Sequence, residues 1–427
     1  MLELIRQKQE MTAQKRPLLM SEPLIVFLLL FCYLPKQGNY NLLYFYGLLV
    51  LIYSLLKDIS IVKRAVLWVV PLFFFTLLSF LFSSFQFSFG KSIISITKIF
   101  LCLLIMFFIS SNAKFLNLKK FAYLLSFALS LSLILAILLP HSFLWVQFDE
   151  VNLYNQHRLQ LFFMEPSQLG FLLGLFLLFA TYCFIFVKKS RISIFIILLM
   201  LTLFYLAMPL GGILCFLLAL FFLLINAMFY KKEFVSKKRK IAFSLILVLI
   251  AVAVVIMITP NSISSRLFDI KSGNDGSFNG RIVVSLNTLP TLLRKTFYFG
   301  VGLGNINTDS VLAITNHIYA NSFFAIVAET GVLGLVYLLM FFGHMFKSIK
   351  YNRILKLSIF AYLFLYQIQG GYFTDPSIWL FYGFIFSSTR FFAFSKANKN
   401  NNFSRNYSSC QNINNNSYIS NKMEGRY

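Results

Sequence analysis

Apolar segments of roughly membrane-spanning length alternate with short polar segments along most of the chain. Most of the apolar segments carry no charged residue in their interior. They are centred on residues 24–34, 41–56, 65–82, 92–109, 121–139, 168–187, 192–208, 211–229, 241–259, 322–346, 357–373 and 378–394. The pattern predicts an all-α, polytopic integral membrane protein with about 12 transmembrane helices, the first of them short.

The overall composition agrees with a membrane protein. The chain has 427 residues, of which 59% are hydrophobic and 18% aromatic, whereas soluble domains are closer to half apolar. Its formal net charge of +24 would indicate nucleic-acid binding in a soluble protein. Here, however, lysine and arginine occur in short clusters between apolar segments, which is typical of topology signals and of contact with lipid headgroups. We therefore expect membrane lipids and no nucleic acid as partners.

The basic clusters predict the orientation of the chain. They follow every second apolar segment, at residues 6–16, 57–64, 114–120, 188–191, 231–240 and 347–356. By the positive-inside rule these segments are cytoplasmic, and so are both termini. Residues 1–20 then form a cytoplasmic N-terminus, and the Asn-rich residues 395–427 form a disordered cytoplasmic tail.

Two loops on the opposite side are long. The first, residues 140–165, interrupts the predicted helices of residues 21–259, and the second, residues 260–320, separates them from the last three helices in residues 321–394. The second loop collects basic and acidic side chains on a side that otherwise carries little charge. A protein that only had to cross the bilayer would not need this loop, so we expect the chemistry of the protein there.

The first long loop ends in Arg158 and, seven residues later, Glu165, Pro166 and Ser167. Proline suits the first position of a helix, so Glu165 is predicted at the cap of a helix whose positive end faces outward. Two interpretations remain open. The pair is either a helix cap with a structural ion pair, or a buried acid beside a cation at the outer rim of a cavity.

The first candidate site residues of the second loop lie in an amphipathic stretch. It begins at Arg281, reaches Arg294, and could be capped by Asn279 or Asp275. Such a helix would lie along the outer interface of the membrane. An arginine there has an obvious anionic partner in a lipid phosphate or pyrophosphate, because its planar fork binds oxyanions bidentately. The simpler interpretation is an arginine at the level of the headgroups.

Alternating glycines follow at Gly300, Gly302 and Gly304. Their spacing differs from that of nucleotide-binding loops, and no strand precedes them, so a nucleotide site is rejected. A backbone nest for an anion and a flexible hinge are the two remaining interpretations.

The late helix carries two polar candidates. Asn321 stands at its start, and Glu329 lies roughly 12 Å further along the axis, inside the bilayer. A carboxylate there costs at least about 2.5 kcal/mol unless it faces protein or water, so a site or a structural partner is expected. Lys98, in the fourth apolar segment, is its most natural opposite charge. His317, just before the helix, could act as a base near neutral pH.

Taken in order, these segments resemble the O-antigen polymerase and O-antigen ligase superfamily of bacterial surface polysaccharide assembly. The resemblance rests on Arg158 with Glu165, Pro166, Ser167 and Gly170, on Gly280 and Arg281 with Gly300 to Asn305, and on Asn321 with Glu329, Thr330, Gly331 and Gly334. It implies a glycosyltransferase similar to the GT-C class, independent of metals and cofactors, in the bacterial inner membrane. Its donor would be a sugar linked to undecaprenyl pyrophosphate, used at the periplasmic face.

One departure from the family pattern bears on the choice within the superfamily. Ligases typically have a histidine immediately before the asparagine that opens the late helix, but this chain has Ala320 there, with His317 three residues earlier. The departure favours a polymerase. The alternatives are a ligase that transfers polymer to the lipid A core and a non-enzymatic flippase for lipid-linked oligosaccharides.

The resemblance also implies roles for individual residues and for partners. The pyrophosphate would be held by Arg158 and Arg281, with Arg294 as a further candidate. Glu165 would act as the base or position the acceptor, ahead of His317. Substrate-binding roles are expected for the residues of the late helix, Asn321 and Glu329. The expected partners are the lipid-linked oligosaccharide and a chain-length regulator.

Overall fold

The computed structural model describes residues 17–387, apart from 35–40, 84, 86, 147–157, 184–190, 208–209, 230–267, 269–270, 273–278, 316–318, 320, 350–352 and 370–372. The helices of this part are α1 (Glu22–Phe31), α2 (Leu42–Lys57), α3 (Ile59–Phe82), α4 (Phe89–Asn112), α5 (Leu118–Leu138), α6 (Pro166–Tyr182), α7 (Arg191–Ala207), α8 (Leu210–Phe229), α9 (Ser285–Lys295), α10 (Asp309–Thr315), α11 (Ser322–Ser348), α12 (Arg353–Gln369) and α13 (Pro376–Phe386). A π-helical turn, Asn279–Val284, leads into α9.

The prediction of an all-α protein is confirmed for the described residues, which form helices and no strand. Among the described residues, four helices are long and apolar enough to cross a membrane, namely α3, α4, α5 and α11. The other apolar helices are shorter, and α1 with 10 residues measures only about 15 Å. Twelve transmembrane helices therefore remain a prediction. The predicted helix at 241–259 and the tail at 395–427 lie outside the described residues.

Helix α4 forms the centre of the bundle. Within its most apolar stretch of 18 residues, 61% of the residues are buried, against 28–44% in the corresponding stretches of the other three long helices. Helix α13 packs along α4, and α2 and α3 cover further sides of it. A second group, consisting of α6, α7, α8 and α12, packs together beside this centre.

The outer surface of the bundle is apolar. Large hydrophobic side chains are exposed along α3, α5 and α11, including Leu67 and Phe127, each 71% exposed, and Met340, 63% exposed. Leaving this surface in water would forfeit about 25 cal/mol for each Å² of apolar area. Contiguous exposed apolar surface of this kind fits a lipid environment.

Hydrogen bonds between helix termini define one end of the bundle, which we call the basic end. Glu22 Oε1 accepts a hydrogen bond from Asn117 N at 2.8 Å, and Arg64 Nη2 donates to Ser111 Oγ at 2.8 Å. Lys356 Nζ donates to carbonyls at the C-terminal end of α13, where a cation also complements the helix dipole. Arg64, Asn117 and Lys356 belong to basic clusters that the sequence analysis assigns to the cytoplasm.

The opposite end, which we call the loop end, is held by a separate set of contacts. The Tyr33 hydroxyl donates to Asp375 Oδ2 at 2.6 Å, and Ser79 Oγ donates to Phe299 O at 2.6 Å. The side-chain amide of Asn321 donates to a carbonyl in the last turn of α12. Each contact joins two segments that the alternating topology assigns to the same side. The structure thus agrees with the predicted alternation, whereas the direction in which each end faces remains a prediction.

Candidate functional site

The alternating-glycine segment packs against an interruption in α11. Gly331 breaks the helix with φ 69° and ψ −155°. The segment before Asn305 supplies the hydrogen bonds that the broken helix lacks: Val301 N donates to Ala328 O at 3.0 Å, and Val332 N donates to Tyr298 O at 3.0 Å. The glycine segment and the interrupted α11 therefore satisfy each other's backbone hydrogen bonds. Buried backbone N–H and C=O groups require such partners.

Further hydrogen bonds connect the glycine segment to the start of α4. Asn305 Oδ1 accepts from Ser88 N at 2.7 Å, and its Nδ2 donates to Ser92 Oγ at 2.9 Å, at the start of α4. The Ser92 hydroxyl in turn donates to Leu303 O at 2.8 Å. With hydrogen bonds to α3, α4 and α11, the segment is a packed element of the loop end, and nothing in its contacts supports the hinge interpretation.

Glu329 is engaged by the same segment, and the predicted pair with Lys98 is wrong. Glu329 Oε1 accepts a hydrogen bond from Gly304 N at 3.0 Å. No ion pair joins it to Lys98, whose Nζ lies 5.8 Å from the centroid of the Tyr44 ring on α2. The backbone amide of Gly304 is therefore a partner of this carboxylate in the structure. In a backbone nest, the amide of Gly304 would bind an anion from outside the protein. Here it binds the carboxylate of Glu329.

Arg158 lies in a short extended segment that pairs with residues 144–146. Val146 N donates to Arg158 O at 2.9 Å, and Leu159 N donates to Leu206 O at 3.0 Å. The Arg158 guanidinium is half-buried, and its Nε donates to Ala207 O at the end of α7, at 3.1 Å. The structure therefore assigns Arg158 an anchoring contact at the loop end, in addition to any role in binding an anion.

Glu165 occupies the N-cap position of α6, which begins at Pro166 as predicted, although its side chain makes no capping hydrogen bond. Its carboxylate accepts a hydrogen bond from Ser167 Oγ at 2.8 Å. The interpretation as a buried acid is wrong, because Glu165 is exposed. It precedes the first turn of α6, and the packing that buries the helix begins at the next residue. Because it is exposed at the loop end, the carboxylate of Glu165 remains available to a substrate.

Of the other predicted site residues, Arg294 and Asn321 are fully described. Arg281 lies in the π-helical turn before α9, with its side chain outside the described residues, and Asp275 and His317 also lie outside them. Arg294 is exposed in the last turn of α9. Asn321 is buried and caps α11, accepting from Phe323 N at 2.9 Å. With its oxygen and nitrogen both bonded to backbone, Asn321 has a structural role in this conformation.

Asp375 is the residue that the sequence analysis missed. Its Oδ2 accepts from Tyr33, and its Oδ1 accepts from Ser377 N at 3.0 Å and Ser377 Oγ at 2.8 Å. Burial raises the pKa of the Asp375 carboxyl, although these hydrogen bonds act in the opposite direction. A sequence signal existed, because Asp375, Pro376 and Ser377 repeat the acid, proline, serine order of residues 165–167.

A small cavity adjoins Asp375, between the end of α1 and the starts of α6 and α13. Its volume is about 10 Å³, which is space for one water molecule or one hydroxyl group. Its lining includes Tyr33, Phe163, Gln168, Phe171, Asp375 and Ser377. The start of α6 contributes Gln168, three residues after Glu165, so the cavity and the exposed carboxylate belong to one region of the loop end.

Within the described residues, no group of three or more histidine, cysteine, aspartate or glutamate side chains is placed to hold a metal ion. The polar groups described at the loop end include carboxylates, hydroxyls, an amide and arginines. Acid–base chemistry and the binding of an anion are what such a set can perform. No family model and no curated protein matches the sequence.

Proposed function

We propose that this protein is a bacterial inner-membrane glycosyltransferase that elongates a surface polysaccharide. It moves a growing glycan from undecaprenyl pyrophosphate onto the non-reducing sugar of a new lipid-linked repeat unit, at the periplasmic face. The proposal is supported by the position of three charged groups at the loop end of an apolar bundle: Glu165 before α6, Arg158 beside the end of α7, and Arg294 in the last turn of α9.

The reaction places two demands on the site. An acceptor hydroxyl must attack the anomeric carbon while the pyrophosphate leaves, so the leaving group needs cations and the hydroxyl needs a proton acceptor. Arg158, Arg281 and Arg294 are proposed to hold the pyrophosphate. Glu165 is exposed at the rim and is proposed to position the acceptor or to act as the base, with His317 as the alternative base.

Helix α9 is suited to hold a lipid-linked donor. It buries Leu292 and exposes Leu286, and its last turn exposes Arg294. An amphipathic helix of this kind lies in the membrane interface with its cations at the level of phosphate groups. Since α9 packs against α11, whose outer surface is apolar, we propose that the polyprenyl chain lies along α11.

Deletion of the gene tests the proposal against its two alternatives. Loss of a polymerase leaves single repeat units attached to the lipid A core, so the glycan ladder collapses to one step. Loss of a ligase instead leaves polymer on the polyprenyl carrier, and loss of a flippase leaves repeat units inside the cell. We expect the first result, and a full-length ladder in the deletion strain would contradict the proposal. Ala320, in place of the ligase histidine, is the sequence feature that favours this outcome.

A further inference from the structure

The cavity at the loop end lies among three residues that are distant in sequence. Tyr33 follows α1, Gln168 lies in the first turn of α6, and Asp375 immediately precedes α13. The Tyr33 hydroxyl and the Asp375 carboxylate meet at 2.6 Å although 342 positions separate them. The fold thus gathers a phenol, an amide and a carboxylate around a space that fits one oxygen atom and its hydrogen.

The hydrogen bonds that Asp375 and Gln168 already make show which polar groups are left to face the cavity. Asp375 Oδ1 accepts two hydrogen bonds from Ser377, while Oδ2 accepts one from Tyr33 and has a further lone pair. Gln168 Oε1 accepts from Met164 N at 3.1 Å, and its Nε2 donates to no other described residue. The cavity therefore presents one acceptor and one donor. A hydroxyl group is complementary to both, because it donates one hydrogen bond and accepts others.

The segment before α13 is held firmly in place. Tyr44 Oη donates to Thr374 O at 2.5 Å, and Trp379 Nε1 donates to Phe373 O at 2.6 Å. The Tyr33 ring also packs against Phe163, with ring centroids 5.9 Å apart. These contacts fix Asp375 relative to α1, α2 and α6, which is the positioning that acid–base catalysis requires.

We infer that this cavity receives the acceptor hydroxyl of the lipid-linked repeat unit and that Asp375 takes its proton. The inference rests on the proposed function. Tyr33 orients Asp375, and Gln168 donates a hydrogen bond to the acceptor oxygen. Glu165, three residues before Gln168 and exposed at the rim, then positions the sugar instead of taking the proton.

The bonds made and broken balance in one step. The acceptor O–H bond breaks, its proton goes to Asp375, and the oxygen forms a bond to the anomeric carbon of the donor. The bond between that carbon and the pyrophosphate oxygen breaks, and its electron pair leaves with the polyprenyl pyrophosphate. The negative charge thus moves from Asp375 to the leaving group, where the arginines receive it.

Asp58 provides a matched control for the capping role of Asp375. It caps α3 as Asp375 caps α13, accepting from Ser60 N at 3.2 Å and Ser60 Oγ at 2.6 Å. It lies at the basic end. Asparagine caps helices about as well as aspartate, so an Asp→Asn substitution keeps the cap at both positions. Only at Asp375 does it also remove a proton acceptor from the cavity.

The test compares purified wild-type, Asp375→Asn, Tyr33→Phe and Asp58→Asn proteins in liposomes. The substrate is the lipid-linked repeat unit isolated from the deletion strain, and both its elongation rate and its binding to the protein are measured. Asp375→Asn is expected to lower the elongation rate about 10²–10⁴-fold with binding retained. Tyr33→Phe is expected to lower the rate about tenfold through the lost hydrogen bond to a charged group. Asp58→Asn is expected to elongate like wild type.

Four results would overturn the inference. Wild-type elongation by Asp375→Asn, or an equal loss in Asp375→Asn and Asp58→Asn, leaves the polymerase proposal intact and removes Asp375 from the reaction. If Asp375→Asn fails to fold, an unchanged elongation rate in Tyr33→Phe has the same consequence. If the wild-type protein itself binds the repeat unit without elongating it, the proposed function fails and this inference fails with it.

Discussion

Replacing Gly331 with alanine is expected to destabilise the folded protein by about 2–6 kcal/mol. Gly331 has φ 69° and ψ −155°, a backbone conformation that only glycine adopts readily. A Cβ at this position would lie 1.9 Å from Tyr298 O, so the segment that completes α11 would have to move away. The measurement is the midpoint of thermal unfolding of the detergent-solubilised protein.

Gly343 is the control on the same helix. A Cβ added there meets nothing within 4 Å, and alanine favours a helix over glycine by up to about 1 kcal/mol. Gly343→Ala should therefore unfold at the wild-type temperature or slightly above it. Equal unfolding midpoints for Gly331→Ala and Gly343→Ala would show that the glycine segment does not pack into the interruption of α11.

Replacing Arg281 with alanine is expected to stop polymer growth in cells that contain the protein at the wild-type level. An arginine that stabilises the charge on a leaving pyrophosphate contributes about 10²–10³-fold to the rate, by analogy with other charge-stabilising donors. Arg281 lies in the π-helical turn that leads into α9, and we propose that this amphipathic segment lies at the membrane interface. The measurement is the length distribution of the glycan ladder, with membrane insertion checked by immunoblotting.

Lys295 is the matched control for Arg281. It is an exposed cation in the last turn of α9, and the proposed mechanism gives it no role. Lys295→Ala should produce the wild-type ladder. A normal ladder in Arg281→Ala would exclude Arg281 from the site, whereas short ladders in both variants would indicate that the total positive charge of α9 matters and that neither residue is specific.

The helices of the described residues were largely predictable because their sequence signal is strong. Long apolar segments with polar boundaries define α3, α4 and α11 within a few residues, and the proline rule located the start of α6 at Pro166. The short helices show what such patterns miss. The apolar pattern placed the last helix at residues 378–394, whereas α13 begins at Pro376, where Asp375 caps it, and ends at Phe386. Hydrophobicity indicates that a helix is present, whereas capping chemistry decides where it begins.

The candidate site was harder to predict, because its contacts join distant segments. The prediction that Lys98 pairs with Glu329 assumed that a carboxylate inside the bilayer is neutralised by a cation. In the structure the carboxylate is bound by the backbone amide of Gly304. The contact between Tyr33 and Asp375 depends on the packing of α1 against the start of α13, and no local pattern contains that information. Sequence spacing gave the correct neighbours only for local features, such as the N-cap position of Glu165.

The orientation of the bundle is the claim on which the proposed function depends most heavily, since lipid-linked repeat units are elongated outside the cytoplasm. A direct measurement is the labelling of single cysteines at Lys295 and Lys57, each introduced into a cysteine-free protein, with a membrane-impermeant maleimide in spheroplasts. We predict that Lys295→Cys, next to the loop end, is labelled without permeabilisation. We predict that Lys57→Cys, at the basic end, is labelled only after permeabilisation. The reverse pattern would place the arginines in the cytoplasm and contradict the proposal.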